Sequence, residues 1–348
     1  MDAPRTRHEF RTADARDLGG LADGSVHRVV TSPPYPMIEM WDECFGALDP
    51  SIGSALAEGR GDDAFEAMHR MLDRVWRELH RVLADGGIAC INVGDATRTL
   101  DGSFRLYPNH ARVLQACAAL GWRSLPAILW RKPTNAPNKF MGSGMLPPGA
   151  HVTLEHEYVL VLRKGDKREF PTEAGKRRRR ESAFFWEERN AWFSDVWFGL
   201  VGTGQELAGV DRRARSGAFP FELAFRLVSM FSVKGDTVLD PFAGTGTTLL
   251  AAVGTERNSI GLEVDAGLAD VVHTRLLNAG PGLNRFLDER LARHDRFRRE
   301  REVAGQPLKH LNEPHGMPCM SAQETELRIR RIRTIECAAP GVYAATYV

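Results

Sequence analysis

Five consecutive residues, Thr31-Ser32-Pro33-Pro34-Tyr35, bring together a hydroxyl, a proline carbonyl and an aromatic face. Far downstream, Asp240-Pro241-Phe242-Ala243-Gly244-Thr245-Gly246-Thr247-Thr248 reads as a glycine loop that leaves a strand and opens a helix. An aromatic amine is a poor nucleophile because its lone pair is delocalised into the ring. Acceptors that hold both amine hydrogens favour the pyramidal nitrogen of the transition state, and Ser32 Oγ and the Pro33 carbonyl could be two such acceptors. Pro33 and Pro34 remove backbone freedom and set that geometry in advance. Tyr35 offers a face on which a base could stack.

Gly244 and Gly246 let the backbone approach a ligand closely, and the helix N-terminus beyond them supplies free N–H groups and a positive dipole. No lysine follows the last glycine, which argues against a Walker-type phosphate loop. Glycine turns between strand and helix are common, so the loop alone carries little. Glu263 strengthens it, standing roughly 20 residues on, where a nucleotide-binding fold presents a carboxylate to ribose hydroxyls. The pairing suits any adenosine cofactor. A dinucleotide enzyme would add a third glycine, and Leu249 occupies that place.

In this order the two motifs resemble those of the S-adenosylmethionine-dependent amino-methyltransferases of DNA, in the permuted arrangement called the β group. The resemblance covers roughly residues 8–280. It implies a Rossmann-like α/β fold, circularly permuted, with a mostly parallel seven-stranded sheet, helices on both faces and a target-recognition insertion. Ser32, Pro33, Pro34 and Tyr35 become the catalytic set. Serine at the head of this motif is typical of cytosine N4 methylation, whereas aspartate or asparagine there mostly marks adenine N6. The resemblance also implies cofactor contacts from Asp240, Pro241, Phe242, Gly244, Gly246 and Thr247, with Thr31 beside them. Glu263 takes the ribose and Asp14 lies near the adenine ring. Phe219 to Leu223 resembles the start of the cofactor-flanking helix, and the segment containing Lys132 and Asn135 resembles the border of the base pocket.

These residues need a scaffold. Val26 to Val30 reads as a buried strand stopped by the prolines. Residues 42–62, rich in glycine, alanine and acids, read as a mobile loop. Phe65 to Leu83 has helical spacing and runs to a stop at Asp85-Gly86-Gly87. Ile88 to Val93, Ser124 to Trp130, Glu157 to Leu162, Thr237 to Leu239 and Asn258 to Val264 read as strands, and Asn109 to Leu120 and Phe221 to Phe231 as helices. Strands alternating with helices imply a largely parallel sheet. The expected division is a catalytic half at 8–130, a recognition insertion at 131–216, a cofactor half at 217–280 and a charged extension at 281–348. The extension has no functional reading, and its last part shows little pattern. Within the insertion, Lys176, Arg177, Arg178, Arg179 and Arg180, with Arg212, Arg213 and Arg215, are expected on DNA phosphates. Trp186, Trp192 and Trp197 are expected in its core.

Composition fits this picture. Of 348 residues, 43% are hydrophobic and 26% charged, as in an ordinary globular protein. No apolar run is long enough for a membrane span, and Met1 to Phe10 has no signal-peptide core. The five cysteines are scattered without metal-ligand spacing, so no metal and a reducing cytoplasm are expected. A net charge of +1 is neutral on nucleic acid. Pro318-Cys319 could mimic the nucleophile of cytosine C5 enzymes, but too little chain follows for their recognition domain. The expected partners are double-stranded DNA and a cognate restriction endonuclease, the enzyme being a monomer or homodimer. The alternatives are an adenine-N6 enzyme, a non-catalytic DNA-binding relative and, more distantly, an NAD-dependent oxidoreductase.

Overall fold

Alternating strands and helices assemble into a ten-stranded mixed sheet covered on both faces. The computed structural model describes residues 4–132, 144–200 and 219–348, with backbone alone at 141–142. In chain order, β1 (Arg5–Thr12) and β2 (Val26–Thr31) precede α1 (Asp42–Leu48), α2 (Pro50–Ala57) and α3 (Gly61–Val82). Next come β3 (Leu83–Val93), the hairpin of β4 (Ala96–Leu100) and β5 (Ser103–Tyr107), α4 (Asn109–Ala119) and β6 (Trp122–Arg131). A small pair, β7 (Met141–Gly142) and β8 (Ala150–His151), leads to β9 (His156–Lys164), α5 (Glu173–Glu181), α6 (Trp186–Trp192) and β10 (Val196–Trp197). Then follow α7 (Phe221–Phe231), β11 (Thr237–Asp240), α8 (Thr247–Gly254), β12 (Asn258–Glu263), α9 (Ala269–Leu277) and α10 (Ala279–Val303). The chain finishes with β13 (His310–Asn312), β14 (Met317–Cys319), β15 (Ile332–Ala339) and β16 (Val342–Tyr347).

The strand order is β10-β6-β9-β3-β2-β11-β12-β1-β16-β15. From β3 through β2, β11 and β12 to β1 every neighbour is parallel, which puts the carboxyl ends of those strands on one edge. Strands covered on both faces are buried nearly throughout, and β2 and β11 are, although β2 carries Arg28 and β11 ends in Asp240. The expected seven mostly parallel strands are corrected to ten, with five parallel and four antiparallel pairings. One addition is β10 beside β6; the other is the β15–β16 hairpin, which lies antiparallel to β1.

α3 shows how sequence periodicity is realised. Met68, Leu72, Val75, Trp76 and Leu79 recur at helical spacing and are all buried against one face of the sheet. Asp62 and Asp63 sit at its positive end, and His80 and Arg81 at its negative end. The opposite face is covered by α7, α8 and α10 through Leu223, Phe225, Val228, Leu249 and Leu287.

Three expectations need revision. Residues 42–62 are not a loop: α1 and α2 bury Phe45, Ile52 and Ala55, and α2 starts from an Asp49 cap with Pro50 in its first turn. Helices this short give too few repeats for a period to stand out among glycines. The described part of the 131–216 segment is not separable from the sheet, since β9 lies between β3 and β6. Residues 281–348 likewise belong to the main body, because Tyr343, Ala345 and Tyr347 of β16 join the principal core.

Candidate active site

The Ser32–Tyr35 loop leaves the carboxyl end of β2, and the glycine loop leaves the carboxyl end of its parallel neighbour β11. Ligands collect in such a crevice in open α/β sheets. One buried carboxylate joins the two loops. Thr31 Oγ1 donates to Asp240 Oδ1 at 2.6 Å, Thr248 Oγ1 donates to Oδ2 at 2.6 Å, and the Phe242 amide donates to Oδ1 at 3.1 Å. Burial pushes the Asp240 carboxyl up to about 6, against the pull of these three donors. Thr31 and Asp240 are both buried, and their side chains are engaged on each other.

The glycine loop has the backbone its residue types suggest. Gly244 (φ +50) and Gly246 (φ +82) lie in the left-handed region, and a Cβ on Gly244 would meet nothing within 4 Å. The loop therefore offers an open backbone side. Glu263 stands beside it: its Oε2 accepts from the Gly244 amide at 2.9 Å and its Oε1 from the Asp265 amide at 3.0 Å. Phe242 is partly buried, and Thr247 opens α8 with a buried hydroxyl that has no partner among the described residues. Asp14, just past β1, forms an ion pair with Arg16 at 2.5 Å, whose hydrogen bonds hold its carboxyl below the usual range. A thiol from α1, Cys44, is close enough to feel Glu263, Arg16 and Asp14. Open glycine backbone, a carboxylate on the next strand and Asp14 beyond it suit an adenosine-bearing cofactor.

The Ser32–Tyr35 loop is pinned from behind. Asn109 Nδ2 donates to the carbonyls of Pro36 (3.0 Å) and Gly94 (2.9 Å), and its Oδ1 meets His69 Nε2 at 3.0 Å. Ser32 Oγ lies 2.8 Å from the Tyr35 hydroxyl. That hydroxyl donates to Glu157 Oε2 at 3.0 Å and accepts from Asn92 Nδ2 at 2.8 Å. Asn92 Nδ2 also donates to Glu157 Oε2 at 2.6 Å, and Lys132 Nζ donates to Glu157 Oε1 at 2.6 Å. The Tyr35 ring lies against Gly94, where a Cβ would come within 3.1 Å of it. Burial, then the nearby Glu157 charge, hold the phenol well above its usual value.

Asn92 and Glu157 escaped the sequence reading. Each is the polar exception in an apolar run, Asn92 in Ile88–Val93 and Glu157 at the head of Tyr158–Leu162. A polar side chain on a buried strand needs a partner, and that was the available signal. Lys132 reaches the site, although through Glu157. The run Lys176 to Arg180 does not. It forms α5, and Arg178 lies against Gly235, ahead of β11, and influences His27 at the start of β2. That is the amino end of the strands whose carboxyl ends hold the motifs. Asn135, Arg212, Arg213 and Arg215 lie outside the described residues. Trp192 and Trp197 are in the main core, while Trp186 is more exposed and stacks on Phe297 at 6.0 Å. Cys319, whose thiol burial pushes up to about 11, is enclosed in β14 and is no thiolate nucleophile. No metal-holding cluster of His, Cys, Asp or Glu occurs among the described residues, nor any helix there long and apolar enough to cross a membrane.

A family profile described as DNA methylase, covering N6 and N4 enzymes, matches residues 26–273. The chain belongs to the N6/N4 DNA methylase family. It is 46% identical over 331 residues to the Type II methyltransferase M.MthZI of Methanothermobacter thermautotrophicus, covering 95% of this chain and 92% of that protein. It is 47% identical over 282 residues to the Type II methyltransferase M.MjaI of Methanocaldococcus jannaschii, covering 78% and 91%. Among solved structures, a candidate DNA modification methylase of Thermus thermophilus, complexed with S-adenosyl-L-methionine, aligns with TM-score 0.59 and 36% identity over 77% of this chain and 94% of that one. The cytosine-N4-specific PvuII DNA methyltransferase shares the fold, with TM-score 0.52 and 17% identity over 80% and 90%.

Proposed function

We propose that this methylase transfers a methyl group from S-adenosylmethionine to the exocyclic N4 amine of cytosine in duplex DNA, as the modification member of a type II restriction system. The cofactor supplies an electrophilic sulfonium methyl. Gly244, Gly246 and the start of α8 receive it, Glu263 takes its ribose hydroxyls, and Asp14 borders its adenine. Ser32 Oγ and the Pro33 carbonyl hold the two hydrogens of an everted base amine. The nitrogen attacks the methyl carbon, the C–S bond breaks onto sulfur, and one amine proton is released to solvent. Asp240, bonded to Thr31 on one side and Thr248 on the other, keeps the acceptor loop and the cofactor loop in fixed relation.

The observation carrying this reading is the bond from Thr31, one residue ahead of Ser32, to the carboxylate that heads the glycine loop. Ser32 at the head of the motif favours cytosine, and the chain order, acceptor loop first, supports the permuted β group. The names of M.MthZI and M.MjaI support the restriction-modification setting, with a cytoplasmic location and a cognate endonuclease. The test is to incubate the protein with unmethylated duplex DNA and labelled S-adenosylmethionine, digest to nucleosides and identify the product by mass spectrometry. N4-methylcytosine is expected. N6-methyladenine would overturn the choice of base, and no label in any nucleoside would overturn amine methylation and favour a non-catalytic binder.

A further inference from the structure

The groups around Tyr35 leave one arrangement of their hydrogens, and it dictates what Ser32 can offer. A phenol has one hydrogen to donate and lone pairs to accept with. Three groups meet the Tyr35 oxygen: Glu157 Oε2 at 3.0 Å, Asn92 Nδ2 at 2.8 Å and Ser32 Oγ at 2.8 Å. Glu157, paired with Lys132, can only accept, so the phenol hydrogen points to it. The same carboxylate orients Asn92, whose Nδ2 donates to both Glu157 and Tyr35. What remains for Ser32 on the phenol is a lone pair, and Ser32 must donate into it.

We propose that Glu157 is a positioning residue for methyl transfer: acting through Tyr35, it turns the Ser32 hydroxyl hydrogen away from the target amine and leaves only lone pairs facing it. This deepens the amine-methylation reading and rests on it. The opposite polarity would set a hydroxyl hydrogen against an amine hydrogen and remove one of the two acceptors the reaction needs. Raised as it is, the phenol keeps its hydrogen through the neutral range, so the arrangement persists there. Asn92 reinforces it by filling the other phenol lone pair, and Lys132 balances the carboxylate charge on its far side.

A double-mutant cycle tests this. Glu157→Leu, Tyr35→Phe and the double variant are compared with wild type by single-turnover methyl transfer to duplex DNA at saturating S-adenosylmethionine. Cofactor dissociation constants are measured calorimetrically on the same preparations. Each single variant is expected to slow transfer by roughly tenfold to a hundredfold, the effect of losing one charge-linked hydrogen bond. The double variant is expected to be no slower than the slower single within about twofold, because both changes cut the same chain. Cofactor affinity should stay at the wild-type value. Glu157→Gln, which keeps the shape but sets an amide hydrogen against Lys132 or Tyr35, replaces Glu157→Leu if the latter does not fold. A wild-type rate in the Glu157 variant, multiplicative single effects, or a loss of cofactor affinity matching the loss of rate would overturn the proposal. Wild-type protein that methylates no duplex DNA would overturn the amine reading itself, and this inference with it.

Discussion

At the carboxyl ends of β2 and β11, the hydroxyls of Thr31, Thr248, Ser32 and Tyr35 meet the Asn92 carboxamide and the carboxylates of Asp240 and Glu157, the latter paired with Lys132. At the amino ends of the same strands, around the turn Lys234 to Asp236, ions crowd together. Arg168 pairs with Asp236 at 2.6 Å, Lys234 with Glu256, and Arg330 with Glu256 at 2.5 Å and Glu181 at 3.2 Å. Close by, Arg290 of α10 grips Glu188 of α6 through two bonds of 2.6 and 2.7 Å, both side chains buried. The first end uses neutral donors to aim acceptors. The second uses charge to fasten pieces of chain far apart in sequence. Aiming is lost by small changes of hydrogen direction, whereas fastening is lost only when a charge is stranded.

That contrast can be broken from either side. The largest effect on stability is expected from Arg290→Leu, which strands Glu188 and should lower unfolding free energy by roughly 3–5 kcal/mol in urea. The folded fraction should methylate normally, and a loss under about 1 kcal/mol would mean the pair is not the fastening it looks like. Ser32→Ala should do the reverse, cutting the methyl-transfer rate by about 10²–10³-fold with an unchanged melting temperature. Glu263→Ala is expected to weaken S-adenosylmethionine binding by roughly tenfold to a hundredfold in calorimetry, with little change in melting.

A smaller effect tests the fastened end by pH. His294 is stacked on Phe185 at 3.7 Å, and its ring nitrogens meet Glu187 Oε1 at 2.8 Å and the Pro318 carbonyl at 2.9 Å. Burial opposes its charge, but Glu187 and the carbonyl outweigh burial and raise the imidazole above its usual value. A raised folded value adds stability that is complete below the unfolded value near 6.5 and fades as pH climbs through the folded one. His294→Gln should therefore cost more melting temperature at pH 5.5 than at pH 8.5, and an equal cost at both would sink the assignment. The smallest effect is expected on α5. Changing Arg177, Arg178 and Arg179 to glutamine should leave DNA affinity and its salt dependence unaltered. A salt slope lower by about three would return this helix to the DNA face.

Most of the aimed end was legible because its signals are local. Ser32 to Tyr35 and Asp240 to Gly246 are contiguous, and proline and glycine carry their backbone meaning with them. The partners were not. Glu157 and Asn92 reach Tyr35 only because β9 inserts antiparallel beside β3, a pairing that nothing near either residue announces. The position of Lys176 to Arg180 near the amino end of β11 was hidden for a similar reason. A run of arginines states its charge but not which end of a strand it will occupy. α1 and α2 are too short to show a period, β15 mixes Arg333, Thr334 and Glu336 into its apolar residues, and β16 is short with two alanines at its centre, so none stood out.

The two working loops are neighbours through the β2–β11 ladder and the Thr31–Asp240 bond, not through the chain that runs between them. The polypeptide could in principle be cut in that stretch without parting them. A single cut after Leu200, with no residue removed, would leave each fragment one loop, and the surfaces that must find each other are already specified: β2 on β11, β1 on β12 and β16, and Glu188 on Arg290. Such a bipartite enzyme would be silent as separate halves and active on reunion, its activity reporting nothing but their encounter.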